Sequence, residues 1–580
     1  MPGEEPGGKP GEEPKGLPTE GPGGAADDVT APVCRPGYHG RVTSAPPHAV
    51  PRRAVEADFP PPLPVRTTTI DRLRDPLPPD GRLSWAVTAA ITLLAFFIRV
   101  VGLNHPKGII FDETYYAKDA WSLLVFGFEG TWSGDANAQV ALGDASGLSV
   151  TGSFIVHPPL GKLLIASGEA LFGLNAFGWR IAAVVFGSLL VAATIRLARR
   201  LSRSTLIGAI AGILLTFDGL AFTMSRIALL DIFQAAFLVM AVAAVVADRD
   251  YHRNALADLL EARGWADLGG RFGPIVWWRP WRWVAGVLFG LACATKWNSL
   301  YVLAAFGVLS VLWDVGARRL AGGGFKSWLA LVYDGIPAFV AMVVTAFFTY
   351  LASWTRWLQT SGGWGRNWGL ENPTHPWVAA FGEGFAALLK YHQEIYAFHT
   401  GEYIRAQTHS YEAHPAGWLL MLRPIGLDAV NGIQPGTDGC VGPENCIRVI
   451  SGMGTPVLWW MGAVALVVAA IWWLAGRDWR FGVPVVAVLA TYAPWFAQTD
   501  RPLFFFYGIT IIPFTCVALA LVLGLVIGDA RSPGRRNGAI AAGVAVALVV
   551  ANFAYIYPVL TDALLPYSSW LSRMWLRSWI

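Results

Sequence analysis

Long hydrophobic stretches alternate with short charged loops over most of the chain. Each stretch is near the roughly 20 residues that an α-helix needs to cross a bilayer. The pattern after residue 80 predicts about eleven transmembrane helices, at 84–103, 178–198, 204–222, 229–247, 283–296, 299–316, 328–352, 455–475, 481–496, 504–527 and 538–557. A further amphipathic stretch at 160–175 is predicted to be a surface helix, because Lys162 and Glu169 interrupt it, with a twelfth span as the alternative.

Composition also favours an all-α polytopic membrane protein. Of the 580 residues, 54% are hydrophobic and only 14% are charged, whereas soluble domains carry about 25% charged residues. The net charge of +4 is small and does not suggest a nucleic-acid partner. Residues 1–80 are rich in Pro and Gly and are predicted to be a disordered tail, so that 81–580 form the membrane domain.

Lys and Arg residues gather in alternate short loops, which predicts the orientation of the chain. In the eleven-span arrangement these loops share one side, which the positive-inside rule makes cytoplasmic together with the N-terminus. The opposite side then carries two long extracytoplasmic loops, at about 104–177 and 353–454. Cys440 and Cys446 lie in the second loop, where a disulfide and two free thiols are both open.

Two adjacent carboxylates, Asp112 and Glu113, follow the first predicted span in the run FDETYYAKDAW. A carboxylate at an apolar boundary loses hydration and becomes a better proton acceptor, so Asp112 is a candidate general base. Asp112 also suits the N-cap of a short helix on which Tyr116 and Asp119 share its face. The two interpretations are compatible, since a capped helix end also fixes a catalytic carboxylate in place.

Cations stand near the predicted outer ends of several spans. Gathered beside an outer carboxylate they would suit a lipid phosphate, whereas each one alone is explained as an interface anchor or a snorkelling side chain. The candidates are Lys162 after His157-Pro158-Pro159, Arg180 in FGWR, Arg226 with Asp231 in SRIALLD, Lys296 in ATKWN, Arg423 and Arg501.

Motifs for other chemistry are missing from the sequence. It has no Walker A motif, no Rossmann glycine fingerprint and no Cys/His zinc pattern, which disfavours a cytoplasmic nucleotide-using enzyme. His409 and His414 lie in HSYEAHPAGW without a further ligand at metal spacing, so no metal site is expected. Glu412 in this motif is either a contact for a polar acceptor or part of a packed loop.

The runs FDETYYAKDAWSLL, VHPPLGK, FGWR, SRIALLD, ATKWN, HSYEAHPAGW and GTPVLWW, in this order, resemble the bacterial protein O-mannosyltransferases. The resemblance covers about 85–570 and implies the C-type glycosyltransferase fold in a bacterial cell membrane. It implies a polyprenyl-phosphate-mannose donor, Ser or Thr hydroxyls of exported proteins as acceptors, and an inverting displacement. The secretion translocon is a candidate partner, and no cofactor is specifically implied.

The resemblance also implies roles for individual residues. Asp112 is expected to be the general base and Glu113 its partner. The family's eukaryotic members carry an extra domain for which 353–454 is too short, and a Lys in its loop motif is replaced here by His414. The other expected site residues are Lys162, Arg180, Arg226 and Arg501 at the donor phosphate, and His157, Tyr116, Glu412 and Trp418 at the acceptor or sugar.

Two other functions remain open from the sequence alone. A lipid-donor glycosyltransferase that acts on a glycolipid would carry the same acidic pair. A membrane transporter would explain ionisable residues in spans. The chain shows no internal repeat of the kind that transporters commonly have, and a purely structural protein leaves the outward acidic pair unexplained.

Overall fold

The computed structural model describes residues 68–74, 80–134, 136–529 and 533–580. Helices dominate it, in agreement with the predicted all-α class. From the start to the end of the first long loop they are α1 (Thr69–Leu73), α2 (Arg82–Val100), α3 (Glu113–Phe126), α4 (Asn137–Ala141) and α5 (Leu160–Phe172). The next group is α6 (Ala176–Ser202), α7 (Thr205–Thr216), α8 (Gly219–Met224), α9 (Asp231–Ala262), α10 (Pro280–Cys293) and α11 (Ser299–Leu320).

The remaining helices surround the second long loop. Before it come α12 (Ala330–Tyr333), α13 (Gly335–Phe339) and α14 (Thr345–Ser353), which join a 3₁₀ turn at Gly324–Leu329 and a π-helical turn at Val340–Val344 into one long rod. Within the loop lie α15 (Thr355–Gln359), α16 (Trp368–Glu371), α17 (Pro376–Thr400) and α18 (Glu402–Arg405). After it come α19 (Pro456–Leu474), α20 (Trp479–Tyr492), α21 (Ile512–Ile527), α22 (Arg535–Ile556) and α23 (Tyr567–Leu571).

Every predicted transmembrane stretch contains a helix. In the described part of the chain, eight helices are long and apolar enough to cross a membrane. The stretches at 204–222, 283–296 and 504–527 hold shorter helices, α7, α10 and α21, so the count of eleven spans stays a prediction. The apolar part of helix α9 is the most enclosed of the eight candidate spans, which explains why residues 232–247 are apolar on nearly all sides.

Two small antiparallel sheets are built mainly from the long loops, and the second also takes in strand β5 after α22. Strands β1 (Gly130–Trp132) and β2 (Leu148–Gly152) pair in the first loop, and β3 (Ile425–Ile433), β4 (Cys446–Gly452) and β5 (Leu565–Pro566) form the second sheet in that order. A disulfide joins Cys440 to Cys446 across the turn between β3 and β4. The structure thus selects the disulfide over the two free thiols.

The two long loops pack directly on each other. The Tyr391 hydroxyl on α17 donates to the carbonyl of Ile155 at 3.1 Å and accepts from its N–H at 3.0 Å. The ring of His399, two turns further along α17, lies 3.0 Å from the carbonyl of Val156. The loops therefore form one layer at one end of the helix bundle.

Most of the predicted N-terminal tail lies outside the described residues. Only 68–74 and Asp80 of it are described. Helix α1 packs Leu73 against Leu256 and Leu260 of α9, so this short part of the tail is helical and docked.

Candidate active site

Asp112 stands directly before α3, after a backbone turn made by Phe111. Phe111 has φ of 46°, a conformation that costs a bulky residue about 1–3 kcal/mol. Its ring packs edge-on against Phe506 with centroids 5.7 Å apart, which holds the turn. The Asp112 side chain makes no capping hydrogen bond. Within the described residues neither of its oxygens has a hydrogen-bond or ion-pair partner, so the predicted cap is not formed and the carboxylate is free.

Glu113, the second acid, is fully buried and fully bonded. Its Oε1 and Oε2 accept from Nε and Nη2 of Arg180 at 2.7 and 2.8 Å. The same two oxygens accept from the backbone N–H groups of Ala228 and Ile110, each at 3.1 Å. Glu113 therefore has no oxygen exposed to a substrate, and its geometry is that of an anchor for the start of α3.

Two of the four predicted phosphate ligands, Arg180 and Arg226, hold the loop after α2. Arg180 donates, besides its bonds to Glu113, to the carbonyls of Leu103, Pro106 and Gly108 at 3.3, 2.7 and 3.0 Å. Since a guanidinium has five N–H groups, none of them is left for a ligand. Arg226 donates to the carbonyls of Arg99, Val101 and Gly102.

Lys162 is also enclosed by the protein. It is completely buried, its Nζ bonds the carboxylate of Glu129, and Asp119 lies 4.0 Å away. It neither snorkels to headgroups nor faces a cleft. Glu169 on the same helix, α5, is buried with neither oxygen partnered in the described part of the chain. The helix predicted at 160–175 is thus present, but both charged residues that interrupt its apolar pattern are buried.

A polar cleft of about 460 Å³ is lined by Asp231 and Lys296, whose charges act on Asp112, although Asp112 itself does not line it. Asp231 at the start of α9 lines it, and both of its oxygens bond Nζ of Lys296 at 2.9 and 2.8 Å. Arg501 also lines the cleft, with Nη1 3.5 Å from Nδ1 of His399. Its Nε is buried without a partner among the described residues. The cleft therefore holds one ion pair and one guanidinium whose donors are largely free.

The pKa of Asp112 depends on the charges that line this cleft. Burial raises the pKa of Asp112 to about 6, while Lys296 opposes the shift and Asp231 adds to it. Tyr116, one turn further along α3, is buried, and burial together with the charge of Asp112 raises the pKa of its hydroxyl well above the usual value. A carboxylate that ionises just below neutral pH and a hydroxyl that stays protonated thus lie side by side.

Two histidines form a neutral wall of the cleft. The rings of His157 and His399 have centroids 5.5 Å apart. Burial, with Lys296 as the next cause, lowers the pKa of His157 well below its usual value; burial also lowers that of His399. They can therefore exchange hydrogen bonds with a polar ligand but supply no charge. Among the described residues no three His, Cys, Asp or Glu side chains are grouped to hold a metal ion.

An apolar cavity of about 550 Å³ lies beside the cleft. Trp297 and Leu300 line both spaces, so the indole of Trp297 forms part of the wall between them. The rest of the apolar lining comes mainly from α11, α14 and α17, including Phe347 and Phe385. The site thus has two compartments, the charged cleft and the apolar cavity, which share a wall.

The structure places the other predicted contacts outside the cleft. Glu412 is exposed and accepts the backbone N–H of His409 at 2.7 Å. Trp418 is buried, and its Nε1 donates to the carbonyl of Ala413 at 2.8 Å. Its ring packs behind Tyr507, which does line the cleft. Of the four predicted acceptor or sugar contacts, His157 lines the cleft and Tyr116 lies beside Asp112.

Several cleft residues were not among the site residues that the resemblance implied, although Lys296 was one of the candidate cations. Asp231 and Lys296 stood out in the sequence as ionisable residues at helix ends, and their opposite signs could have suggested a pair. His399 and Tyr507 gave no comparable signal, since one lies within a loop helix and the other in an aromatic run. Arg423 donates hydrogen bonds to the carbonyls of Ser410, Ser578 and Ile580 and does not line the cleft.

Comparison with protein families gives two matches that together span most of the chain. A family model described as dolichyl-phosphate-mannose-protein mannosyltransferase matches residues 89–359. A model described as the C-terminal four-TMM region of protein O-mannosyltransferase matches residues 385–579.

Curated relatives and a solved structure agree with these matches. The chain is 38% identical to a polyprenol-phosphate-mannose–protein mannosyltransferase of Mycobacterium tuberculosis, over 87% of this chain and 93% of the relative. It is 33% identical to the protein of the same name from Corynebacterium glutamicum, over 86% and 93%. Its fold is similar to a chain of the Saccharomyces cerevisiae protein O-mannosyltransferase Pmt1–Pmt2 complex bound to the sugar donor, with a TM-score of 0.64, 13% identity and coverage of 91% and 97%.

Proposed function

The chain belongs to the dolichyl-phosphate-mannose-protein mannosyltransferase family, and on that premise we propose that it transfers mannose from a polyprenyl-phosphate-mannose lipid to Ser and Thr hydroxyls of exported proteins. Asp112 is the general base of a single, inverting displacement at the extracytoplasmic face. One observation carries the proposal: among the described residues the Asp112 side chain has no partner, and its pKa is set in part by Lys296, which lines a cleft together with Arg501.

The reaction needs a base and a stabilised leaving group. Asp112 takes the proton of the acceptor hydroxyl while the hydroxyl oxygen attacks the anomeric carbon. The bond from that carbon to the phosphate oxygen breaks, and polyprenyl phosphate leaves with the electron pair. Because one displacement occurs at one carbon, a β-linked donor gives an α-mannoside. Lys296 and Arg501 are the cations placed to offset the charge that grows on the phosphate.

The two compartments match the two halves of a lipid-linked sugar. The phosphate and mannose fit the charged cleft, and the first part of the polyprenyl chain fits the apolar cavity next to it. Lys162, Arg180 and Arg226, expected at the phosphate from the sequence, are occupied by contacts within the protein. Lys296 is also paired, with Asp231, but it lines the cleft and its ammonium has a third N–H group. We therefore assign the phosphate to Arg501 together with Lys296.

The proposed extracytoplasmic site rests on three observations. The two long loops form one layer with Asp112 in it. The basic short loops lie on the opposite side in the predicted topology. The second loop contains the Cys440–Cys446 disulfide, and disulfides persist mainly in oxidising compartments.

The decisive experiment is transfer in vitro. Purified protein in lipid receives labelled polyprenyl-phosphate mannose together with a Ser/Thr-rich peptide, with and without a chelator. We expect label in the peptide in both arms. Label that enters lipid instead of peptide would identify a glycolipid acceptor, and loss of transfer with the chelator would reveal a required metal ion.

The pH dependence of transfer is predicted from the raised pKa of Asp112. The base form is lost as pH falls through about 6, so kcat/KM should fall with unit slope below that pH and level off above it. The donor is a phosphodiester, which does not titrate in this range. A rate profile with saturating peptide measures the acid limb. An acid limb near the ordinary 3.8 would argue against Asp112 as the base.

A control is needed for this profile because Asp119, whose pKa burial raises to about 7, lies on α3, which begins directly after Asp112. We expect the acid limb to remain near pH 6 in Asp119→Asn. If the limb disappears in that variant, Asp119 and not Asp112 sets the pH dependence.

Arg501→Gln is predicted to lower kcat/KM for the lipid donor about 10- to 100-fold, the scale of one lost hydrogen bond to a charged group. Its side chain makes one long contact to His399, so stability should change little. Arg405→Gln is the matched control, since Arg405 pairs with Asp500 at 2.8 Å and does not line the cleft. Equal loss in both variants would remove Arg501 from the phosphate site.

A further inference from the structure

Three side chains from three separate elements form a hydrogen-bond network at the wall between the apolar cavity and the polar cleft. Nε1 of Trp297, in the turn between α10 and α11, donates to the Tyr350 hydroxyl on α14 at 3.0 Å. That hydroxyl lies 2.6 Å from Nε2 of His392 on α17. Nδ1 of His392 lies 2.7 Å from the carbonyl of Leu388, one turn earlier on the same helix.

The chemistry of the end groups fixes the direction of donation in every hydrogen bond of this network. An indole nitrogen only donates and a carbonyl oxygen only accepts. The Tyr350 oxygen therefore accepts from Trp297 and gives its own proton to Nε2 of His392, while Nδ1–H donates to Leu388. Burial lowers the pKa of His392, in keeping with the neutral ring that this arrangement requires. Every polar side-chain group of the network then has a hydrogen-bond partner.

The hydrogen-bond network also fixes the plane of the Trp297 indole. The rings of Trp297 and His392 are stacked, with centroids 5.7 Å apart and planes 18° apart. Tyr350 and His392 line the apolar cavity but not the cleft, whereas Trp297 lines both. Trp297 is also the neighbour of Lys296 in sequence, so a rotation of its ring would alter the cleft at the cation. Hydrogen bonding and stacking together prevent that rotation.

We infer that Tyr350 and His392 are positioning residues that hold Trp297 as the partition between the apolar cavity and the charged cleft, and so set where the lipid of the donor ends and its phosphate begins. The inference deepens the proposed function and rests on it. Neither residue touches the reacting atoms. Their effect is on where the donor binds, and the acceptor hydroxyl and Asp112 are left as they are.

The test uses two substitutions at one position. His392→Gln places an amide oxygen where Nε2 accepts, and His392→Asn places its amide near Nδ1 and leaves the Tyr350 proton without an acceptor. Tyr350→Phe removes the central hydroxyl. The control is Tyr333→Phe, because Tyr333 is half exposed on α12 and lines neither space. Donor KM, peptide KM and kcat are measured with decaprenyl-phosphate mannose.

We expect Tyr350→Phe and His392→Asn to raise the donor KM about tenfold, the scale of one or two lost hydrogen bonds. The peptide KM and kcat at saturating donor should stay within about twofold, and His392→Gln should restore the donor KM. A fall in kcat with unchanged donor KM would overturn the inference. So would equal behaviour of His392→Gln and His392→Asn, or loss of folding in both Tyr350→Phe and His392→Asn.

Binding of decaprenyl phosphate, followed by thermal shift, separates this inference from the proposed function. The same two variants should bind decaprenyl phosphate about tenfold more weakly than wild type, whether or not mannose is transferred. Wild-type protein that binds this lipid but mannosylates no peptide would remove the proposed function and leave the partition standing. Unchanged binding in an active enzyme would remove the partition alone.

Discussion

Asp112→Asn is expected to lower the rate of mannosyl transfer to peptide about 10²–10⁴-fold, the usual contribution of a positioned general base. The substitution keeps the size of the side chain but removes the proton acceptor. Because neither oxygen of Asp112 is bonded within the described residues, the change breaks no contact, and folding and donor affinity should be retained. Single-turnover transfer from preformed enzyme–donor complex measures the chemical step directly.

Two variants sharpen this result. Asp144→Asn is the control, because Asp144 is an exposed carboxylate of the same loop that, among the described residues, bonds only Ser146, and its transfer rate should match the wild type. Asp112→Glu retains the acid but displaces it by one methylene, so an intermediate rate is expected. Transfer by Asp112→Asn at the wild-type rate would mean that another group accepts the proton.

The architecture could be predicted well because lipid imposes it on every span. A membrane-crossing backbone must satisfy its polar groups internally, so each long apolar stretch has to be a helix. All eleven predicted stretches contain one, and the predicted C-type glycosyltransferase fold is confirmed by the similarity to the Pmt1–Pmt2 chain. The short helices α7, α10 and α21 show what hydrophobicity cannot give, because residues near a span end are apolar whether they cross the membrane or pack beside it.

The site was predicted less completely because the use of a charge depends on its neighbours. Lys162 and Arg180 looked like ligands for an outside anion, yet Glu129 and Glu113 supply the anions. Glu129 lies two residues after Gly127, which ends α3 in the left-handed conformation, and nothing in its local sequence shows that it meets Lys162. A buried cation needs a buried partner, but the sequence does not say which one.

The acidic pair divides into two different tasks. Periodicity assigned both residues to one helix start, but it could not tell that one side chain is unpaired among the described residues and that the other is bonded to Arg180. Asp112 and Glu113 differ by one position, which on a helix is a rotation of about 100°. That rotation leaves Asp112 free and places Glu113 against Arg180 on α6.

Glu113→Gln is accordingly expected to destabilise the folded protein by about 3–5 kcal/mol, since it leaves Arg180 as a buried cation without a counter-charge. An amide has one acceptor atom where four hydrogen bonds now converge on two oxygens. Arg180→Lys should have a similar effect, because an ammonium cannot reach Glu113 and the three loop carbonyls together. Denaturant unfolding in detergent compares these variants with the wild type.

The same variants separate an anchoring role from a catalytic one. If Glu113 only anchors the start of α3, Glu113→Gln loses stability and activity together, and part of the activity returns at low temperature, where the fold is retained. Removing the buried charge as well, in Glu113→Gln/Arg180→Met, should recover part of the lost stability, because no unpaired cation remains. A Glu113→Gln protein as stable as the wild type but inactive would instead place Glu113 in the chemistry beside Asp112.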